Sequence, residues 1–342
     1  MTLGQDIGID LGTSTILIYV KGRGIVAKEP AVVAVDKDSN RLLAVGKKAQ
    51  EMLGRTPGNI VAVNPLKEGV ISDYSITERM LRYFMQRIVK HSFMESLIKP
   101  KVVICVPSDV TEVEERAVID AGMQAGARKV HLIQEPMAAA LGVGLDIEQP
   151  CGTLVVDIGG GTTDIAVISL GGIVTSRSIK IAGDNFDDAI IRYIRKKYNI
   201  LIGERTAEEL KIKIGCVRKR DKLLAMDIRG RSLISGLPKT IQISSDEVYD
   251  AIMEPALMIV EEIRGILEAT PPELIGDISA RGIVLTGGGA LVYGMERMIQ
   301  TEVGIKTHLA DAPDDCVALG TGKALESPAI LQNYNSADQR DL

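Results

Sequence analysis

A chain of 342 residues exceeds one ordinary core and implies two lobes of roughly 150 residues each. Its 46% apolar content excludes disorder over most of the length, and with 3% aromatics and no Trp the cores must be built from Ile, Val, Leu, Ala and Met. A net charge of −5, with no basic stretch interleaved with aromatics, argues against a nucleic-acid groove.

Apolar runs bounded by Gly, Asp or Pro predict strands at Ile7–Ile9, Ile16–Val20, Ala31–Val35, Val102–Val106, Leu154–Val156, Ile165–Ser169 and Ile283–Thr286. Between them, Ile76, Met80, Phe84 and Ile88 recur at helical spacing. Thr111-Glu-Val-Glu114 is a capping box whose helix should carry Val113, Ala117 and Ala121 on one face. Further helices are predicted at Met137–Gly142, Phe186–Lys197, Ala207–Ile214 and Ser245–Leu267, the last with a kink or early stop at Pro255 or Gly265. Strands lead and helices follow in two rounds, the pattern of a mixed α/β protein with duplicated lobes. The runs Arg192–Lys197 and Arg218–Lys222 read as solvated charge, and the tail from Ser327 as frayed. Cys105, Cys151, Cys216 and Cys316 lie too far apart for a zinc or disulfide pattern and read as buried thiols. With neither a signal peptide nor an apolar run long enough to span a bilayer, the expected compartment is the cytosol.

Two segments share one plan. "DIGIDLGTSTILIYVKG" (6–22) runs through Asp10 into Gly12, Thr13, Ser14 and Thr15; "VVDIGGGTTDIAVISLGG" (155–172) runs through Asp157 into Gly159, Gly160, Gly161, Thr162 and Thr163. A tip rich in Gly, Ser and Thr turns N–H groups and hydroxyls toward one point, a nest for phosphate oxygens. An Asp beside phosphate makes sense with hydrated magnesium between them, a cation held by one or two carboxylates together with substrate phosphates. Two facing nests predict a polyphosphate gripped between the lobes. A third cluster, Gly287-Gly288-Gly289-Ala290, ends a strand; alone it is either a tight turn or a ligand contact.

In this order the three segments resemble the phosphate-one, phosphate-two and adenosine motifs of the actin, sugar-kinase and heat-shock chaperone superfamily. "GIVAKEPAVVAVD", "PLKEGVISDYSITERMLRYF", "QEPMAAALGVGLDI", "LIGERTAEELKIKIG", "DIRGRSLISGLPKTI" and "CVALGTGKALE" narrow the resemblance to the bacterial actin homologues of the MreB/Mbl family, nearly end to end. It implies an α/β, duplicated actin-like (ribonuclease H-like) fold of two lobes, with a nucleotide cleft between them and two inserted subdomains. The implied division is a core subdomain IA at 1–33, 66–140 and 311–342, an insertion IB at 34–65, a core subdomain IIA at 141–182 and 240–310, and an insertion IIB at 183–239.

The same resemblance makes ATP and Mg2+ the expected ligands, with Asp10 and Asp157 organising the cation through water. Glu208 and Lys211 would flank adenine and ribose, and Gly287–Ala290 would close over the adenosine. Glu135 matches the carboxylate near the attacking water, with Thr162 or Thr163 as its partner; residue chemistry alone leaves open a first-turn Glu stabilised by the helix dipole. Two departures stand out: Gln134 where the family often has Glu, and the acidic pair Asp314-Asp315.

The implied function is a slow, ATP-hydrolysing filament protein that organises cell-wall synthesis at the inner face of the cytoplasmic membrane and so determines cell shape. Its expected partners are further copies of itself, in paired protofilaments, the membrane, transmembrane adaptors and wall-synthesis proteins, and no nucleic acid. The first phosphate hairpin begins almost at once, so the amphipathic N-terminal helix of some members is not expected. "HSFMESLIKP" (91–100) instead offers Phe93, Met94, Leu97 and Ile98 for insertion, flanked by Lys90, Lys99 and Lys101; the same side chains could also end a buried helix. A non-polymerising ATPase scaffold is the alternative function, and a small-molecule kinase of the superfamily a more remote one.

Overall fold

The computed structural model describes residues 6–89, 99–327 and 331. Strands β1 (Ile7–Leu11), β2 (Thr15–Val20) and β3 (Gly24–Pro30) form an antiparallel meander. An excursion follows: β4 (Val33–Asp36), β5 (Leu42–Val45), α1 (Lys47–Gln50) and β6 (Ile60–Val63), with the strands in order β5-β4-β6, then the small pair β7 (Leu66–Lys67) and β8 (Val70–Ile71). The chain returns through α2 (Tyr74–Val89), β9 (Lys101–Val106), α3 (Glu112–Gln124) and β10 (Lys129–Gln134). β9 and β10 extend the first sheet in parallel, giving the order β10-β9-β1-β2-β3.

Helix α4 (Glu135–Val143) leads to the second meander, β11 (Thr153–Ile158), β12 (Thr163–Ser169) and β13 (Gly172–Ile179). A second excursion carries α5 (Gly183–Tyr198), β14 (Ile200–Leu201), α6 (Glu204–Ile214), β15 (Ala225–Ser232) and β16 (Pro238–Ser244). Then α7 (Ser245–Ala269), α8 (Pro272–Arg281), β17 (Ile283–Thr286), α9 (Met295–Val303), β18 (Thr307–Leu309) and α10 (Cys316–Glu326) follow. The second sheet, β13-β12-β11-β17-β18, repeats the topology of the first: three antiparallel strands, then two added in parallel. The duplication expected from the sequence is therefore present strand for strand.

Central strands such as β11, buried at every residue, read as unbroken apolar runs because both sheet faces are covered. Helices α4 and α10 fill the layer between the sheets, packing Met137, Ala138, Ala140, Val317 and Ala324 against Val103, Val155 and Ala166. Their close crossing depends on glycine. A Cβ on Gly320 would lie 2.9 Å from Ala138 Cα, and one on Gly142 would lie 3.0 Å from Cys316 Cα.

Three expectations need correction. The early stop expected at Pro255 or Gly265 does not occur, since α7 runs for 25 residues through both. Its Val248, Ile252, Ala256, Ile259 and Ile263 are buried on both sides of the proline, and this packing outweighs one lost backbone bond. On α3, Val113 is 80% exposed, while Val118, Ala121 and Gly122 are buried. Steps of four residues drift about 40° around a helix, so a stripe defined by 113, 117 and 121 leaves the buried face at its first member. All four cysteines are free, but Cys151 is only partly buried. Lys90, Phe93, Met94, Leu97 and Ile98, and most of the tail from Ser327, lie outside the described residues.

Candidate functional site

The two glycine hairpins meet. Residues 12–14 turn β1 into β2, and 159–162 turn β11 into β12, where Gly159 N donates to Thr162 O at 2.9 Å. Gly160 packs on Ser14 and Gly161 on Thr13; an added Cβ would stand 2.8 Å from Ser14 Cβ or 2.9 Å from Thr13 Cβ. Only a residue without a Cβ lets the two loops approach this closely. Ser14 Oγ also donates to Asp184 Oδ1 at 3.1 Å, tying the first hairpin to the start of α5.

Around this junction opens a cavity of about 560 Å³, within the range of small-molecule sites. Asp10, Gly12, Thr13, Ser14 and Thr15 line it from one lobe, and Asp157, Gly159, Gly160, Gly161 and Thr162 from the other. Glu135, Glu208, Lys211 and Gly287–Gly289 line it as well, which leaves Thr163 and Ala290 of the predicted set outside the lining. Thr163 and Ala290 are in the second layer. Thr163, fully buried, donates its hydroxyl to Ile181 O at 2.7 Å, and Ala290 caps the turn after Gly287. Gly287 itself takes a φ of 84°, and a Cβ there would meet Asp157 Oδ1 at 2.8 Å.

The electrostatics are those of acids withdrawn from water. Burial lifts the Asp10 carboxyl to about 6, opposed by the Cys105 thiol, which donates to Asp10 Oδ1 at 3.3 Å, and by the charge of Lys28. Burial raises Asp157 to about 7 against a 2.7 Å bond from Thr286 Oγ1. Glu135, at the first turn of α4, is pushed well above the ordinary carboxylate range by burial and then by the charges of Asp164, Asp157 and Asp10. Four carboxylates thus converge where like charges cannot all ionise without a cation nearby.

Asp164 was not singled out from the sequence. It pairs with Asp157 across β11 and β12, is fully buried, and accepts from Ser108 N at 2.7 Å. It reads there as one more residue of a strand; β pairing sets it beside Asp157, and its charge acts on Glu135. Lys28 and Asp315 are joined at 2.7 Å, with Asp314 beside them, so the acidic pair ties β3 to the turn preceding α10. Lys211 is engaged internally, donating to Gly183 O at 2.9 Å and Asp187 Oδ2 at 2.7 Å. Arg220, expected in a solvated run, is half-buried in the cavity wall.

Among the described residues, no cluster of three or more His, Cys, Asp or Glu is arranged to hold a metal directly. Asp10 and Asp157 offer hard oxygens facing the cavity, a set suited to magnesium that keeps most of its waters.

A family model described as MreB/Mbl protein matches residues 4–333. The chain belongs to the MreB/Mbl family. Over 339 residues it is 52% identical to the cell shape-determining protein Mbl of Bacillus subtilis, covering 99% of both chains. It is 50% identical over 326 residues to the cell shape-determining protein MreB of Escherichia coli, covering 94% of this chain and 93% of that one. Among solved structures, MreB5 of Spiroplasma citri bound to AMPPNP superposes with a TM-score of 0.90 at 41% identity, covering 97% of this chain and 98% of that one. This MreB/Mbl member accordingly has the actin-like, two-lobed fold that its sequence implied.

Proposed function

We propose that this MreB/Mbl family member binds ATP with magnesium in the cleft and hydrolyses it slowly to ADP and phosphate as it assembles into filaments that organise wall synthesis at the membrane. The observation that carries this reading is the tip-to-tip meeting of the two Gly/Thr hairpins between Asp10 and Asp157, with Glu135 buried in the same cavity. Backbone N–H groups and hydroxyls from both lobes then grip the phosphates, and the bound cation offsets the acidic charge.

Glu135, ionised, orients a water toward the terminal phosphate. Thr162, which lines the cavity, assists it, and Thr163 holds the loop through Ile181. The boundaries of subdomains IA, IB, IIA and IIB belong to the same reading. So does membrane contact through Phe93, Met94, Leu97 and Ile98, flanked on the described side by exposed Lys99.

The test is electron microscopy of the purified protein on anionic vesicles with magnesium and ATP, alongside phosphate release, for wild type, Glu135→Gln and Phe93→Ser/Ile98→Ser. Wild type should form nucleotide-dependent filaments on vesicles and release phosphate. Glu135→Gln should form filaments without releasing phosphate, and the double serine variant should form them off the membrane. Binding of ATP without filaments under any condition would instead favour a non-polymerising scaffold.

A further inference from the structure

Among the described residues three cations line the cavity, and two of them are committed elsewhere. Lys211 is held by Gly183 O and Asp187, and Arg220 lies 4.0 Å from the centroid of the Tyr293 ring and donates to Gly215 O at 3.0 Å. The third is Lys28. Asp10, Leu17 and Lys28 stand in one row across β1, β2 and β3, since Asp10 pairs with Leu17 and Leu17 with Lys28. Residues directly opposite in antiparallel strands share a face, and all three line the cavity. Two strand spacings, about 10 Å, separate the backbones of Lys28 and Asp10. Burial raises the Asp10 carboxyl, and the Lys28 charge opposes that rise.

The row ends against the turn that precedes α10. Lys28 Nζ donates to Asp314 Oδ2 and, at 2.7 Å, to Asp315 Oδ1. That turn is fastened to the glycine turn after β17: Gly287 N donates to Pro313 O at 2.9 Å, and Pro313 and Asp314 are themselves in the lining. Lys28 therefore stands between the Asp10 end of the cavity and the Gly287 turn. An ammonium has three N–H donors; two are taken here, and the third has no acceptor among the described residues. The side chains of Lys28, Asp314 and Asp315 are 42%, 37% and 29% exposed, a rim that meets solvent on one side and the cavity on the other.

The charge balance of the cleft calls for such a group. The hairpins supply amides and hydroxyls, Asp10, Asp157 and Glu135 add negative charge, and one magnesium offsets only part of the charge of a polyphosphate. With the terminal phosphate at the hairpin tips and the adenosine under the glycine turn, a cation between them meets the inner phosphates. We propose that Lys28, oriented by Asp314 and Asp315, is a phosphate-binding residue that contacts the diphosphate segment of the bound nucleotide. This rests on the nucleotide reading of the cleft and adds to it a cation outside both glycine hairpins. The diphosphate segment is common to ATP and ADP, so Lys28 holds the product after hydrolysis and slows its exchange.

Affinities for ATP, ADP and adenosine, each with magnesium, are measured by calorimetry on wild type, Lys28→Met, Asp314→Asn/Asp315→Asn and the triple variant, with thermal melts as the folding control. Lys28→Met should lose about tenfold on both ATP and ADP and nothing on adenosine. Release of ADP, followed by stopped-flow displacement, should quicken to match. The two Asp substitutions dissolve the ion pairs while leaving the ammonium. If Lys28 only braced β3 against the turn, removing it in that background would cost nothing further; a phosphate contact predicts a similar loss there. The loss should largely persist at about 0.5 M salt, where screening confines charge effects to about 4 Å.

Unchanged ADP affinity in folded Lys28→Met overturns the proposal, as does an equal loss on adenosine. So does a loss that disappears in the Asn background, which would make Lys28 a brace, or at high salt, which would make it a distant charge. Failure of the folded wild type to bind either nucleotide would overturn the ATP reading itself. The wild-type titration alone tells the two failures apart.

Discussion

At the scale of single residues, the most consequential neighbour of Glu135 is Asp164. An orienting carboxylate must be ionised to accept from water, so phosphate release should fall as pH drops through the raised pKa of Glu135. Part of that elevation is the charge of Asp164, after burial itself. Asp164→Asn keeps an oxygen for Ser108 N but removes the charge. The acidic limb of the pH–rate profile should therefore move to lower pH, with ATP affinity preserved. A limb that stays where it was would show that Asp164 does not act on Glu135. Asp10, Asp157 and their glycines were legible in the sequence because a phosphate nest needs those residue types in consecutive positions. Asp164 and Arg220 were hidden for opposite reasons: one resembles an ordinary strand residue and the other a member of a charge run, and only strand pairing and loop folding bring each to the cavity.

Elements were easiest to read where the chemistry of their ends agreed with their periodicity. The capping box of Thr111 and Glu114 fixes the start of α3, and Pro136 in the first turn that of α4. Local breakers misled where tertiary burial overrode them, as at Pro255 within α7. Invisible in the sequence was the reason for glycines at 142 and 320, since neither is in a phosphate loop. They let α4 and α10 cross between the two sheets, which makes this crossing a joint of the whole fold. Gly320→Ala forces a Cβ toward Ala138 Cα, rigid backbone on both sides, and should destabilise the protein by about 3 kcal/mol. Denaturant titration measures this; Gly276→Ala, inside α8 with no atom within 4 Å of the added Cβ, reports the substitution in a helix without the clash and should be neutral to slightly stabilising. If both substitutions cost the same, the packing argument for the crossing is wrong.

For the whole molecule, the cleft concentrates acidic charge at the junction of two lobes, and this sets the pH at which the empty protein is most stable. Asp10 is lifted from 3.8 to about 6 and Asp157 from 3.8 to about 7, burial being the leading cause in both. Between the unfolded and folded values the native state binds more protons than the unfolded chain, so these groups make stability fall as pH rises. The loss begins above about pH 4, as the unfolded carboxylates ionise, and is complete above about pH 8, when the folded ones have done so too. Urea denaturation of the nucleotide-free protein from pH 5 to 8 should show this decline. Asp157→Asn, which keeps an oxygen for Thr286 but never ionises, should flatten it and be more stable than wild type at pH 8. Magnesium and ATP should restore wild-type stability at pH 8 far more than at pH 5, because the cation offsets charge that exists only at the higher pH. Ligand should do less for Asp157→Asn, which has lost one of the carboxylates assigned to the hydrated ion. A wild-type stability that instead climbs from pH 5 to 8, with Asp157→Asn parallel to it, would mean that the cleft acids are ionised and stabilised by the protein alone, leaving the cation no electrostatic role in joining the lobes.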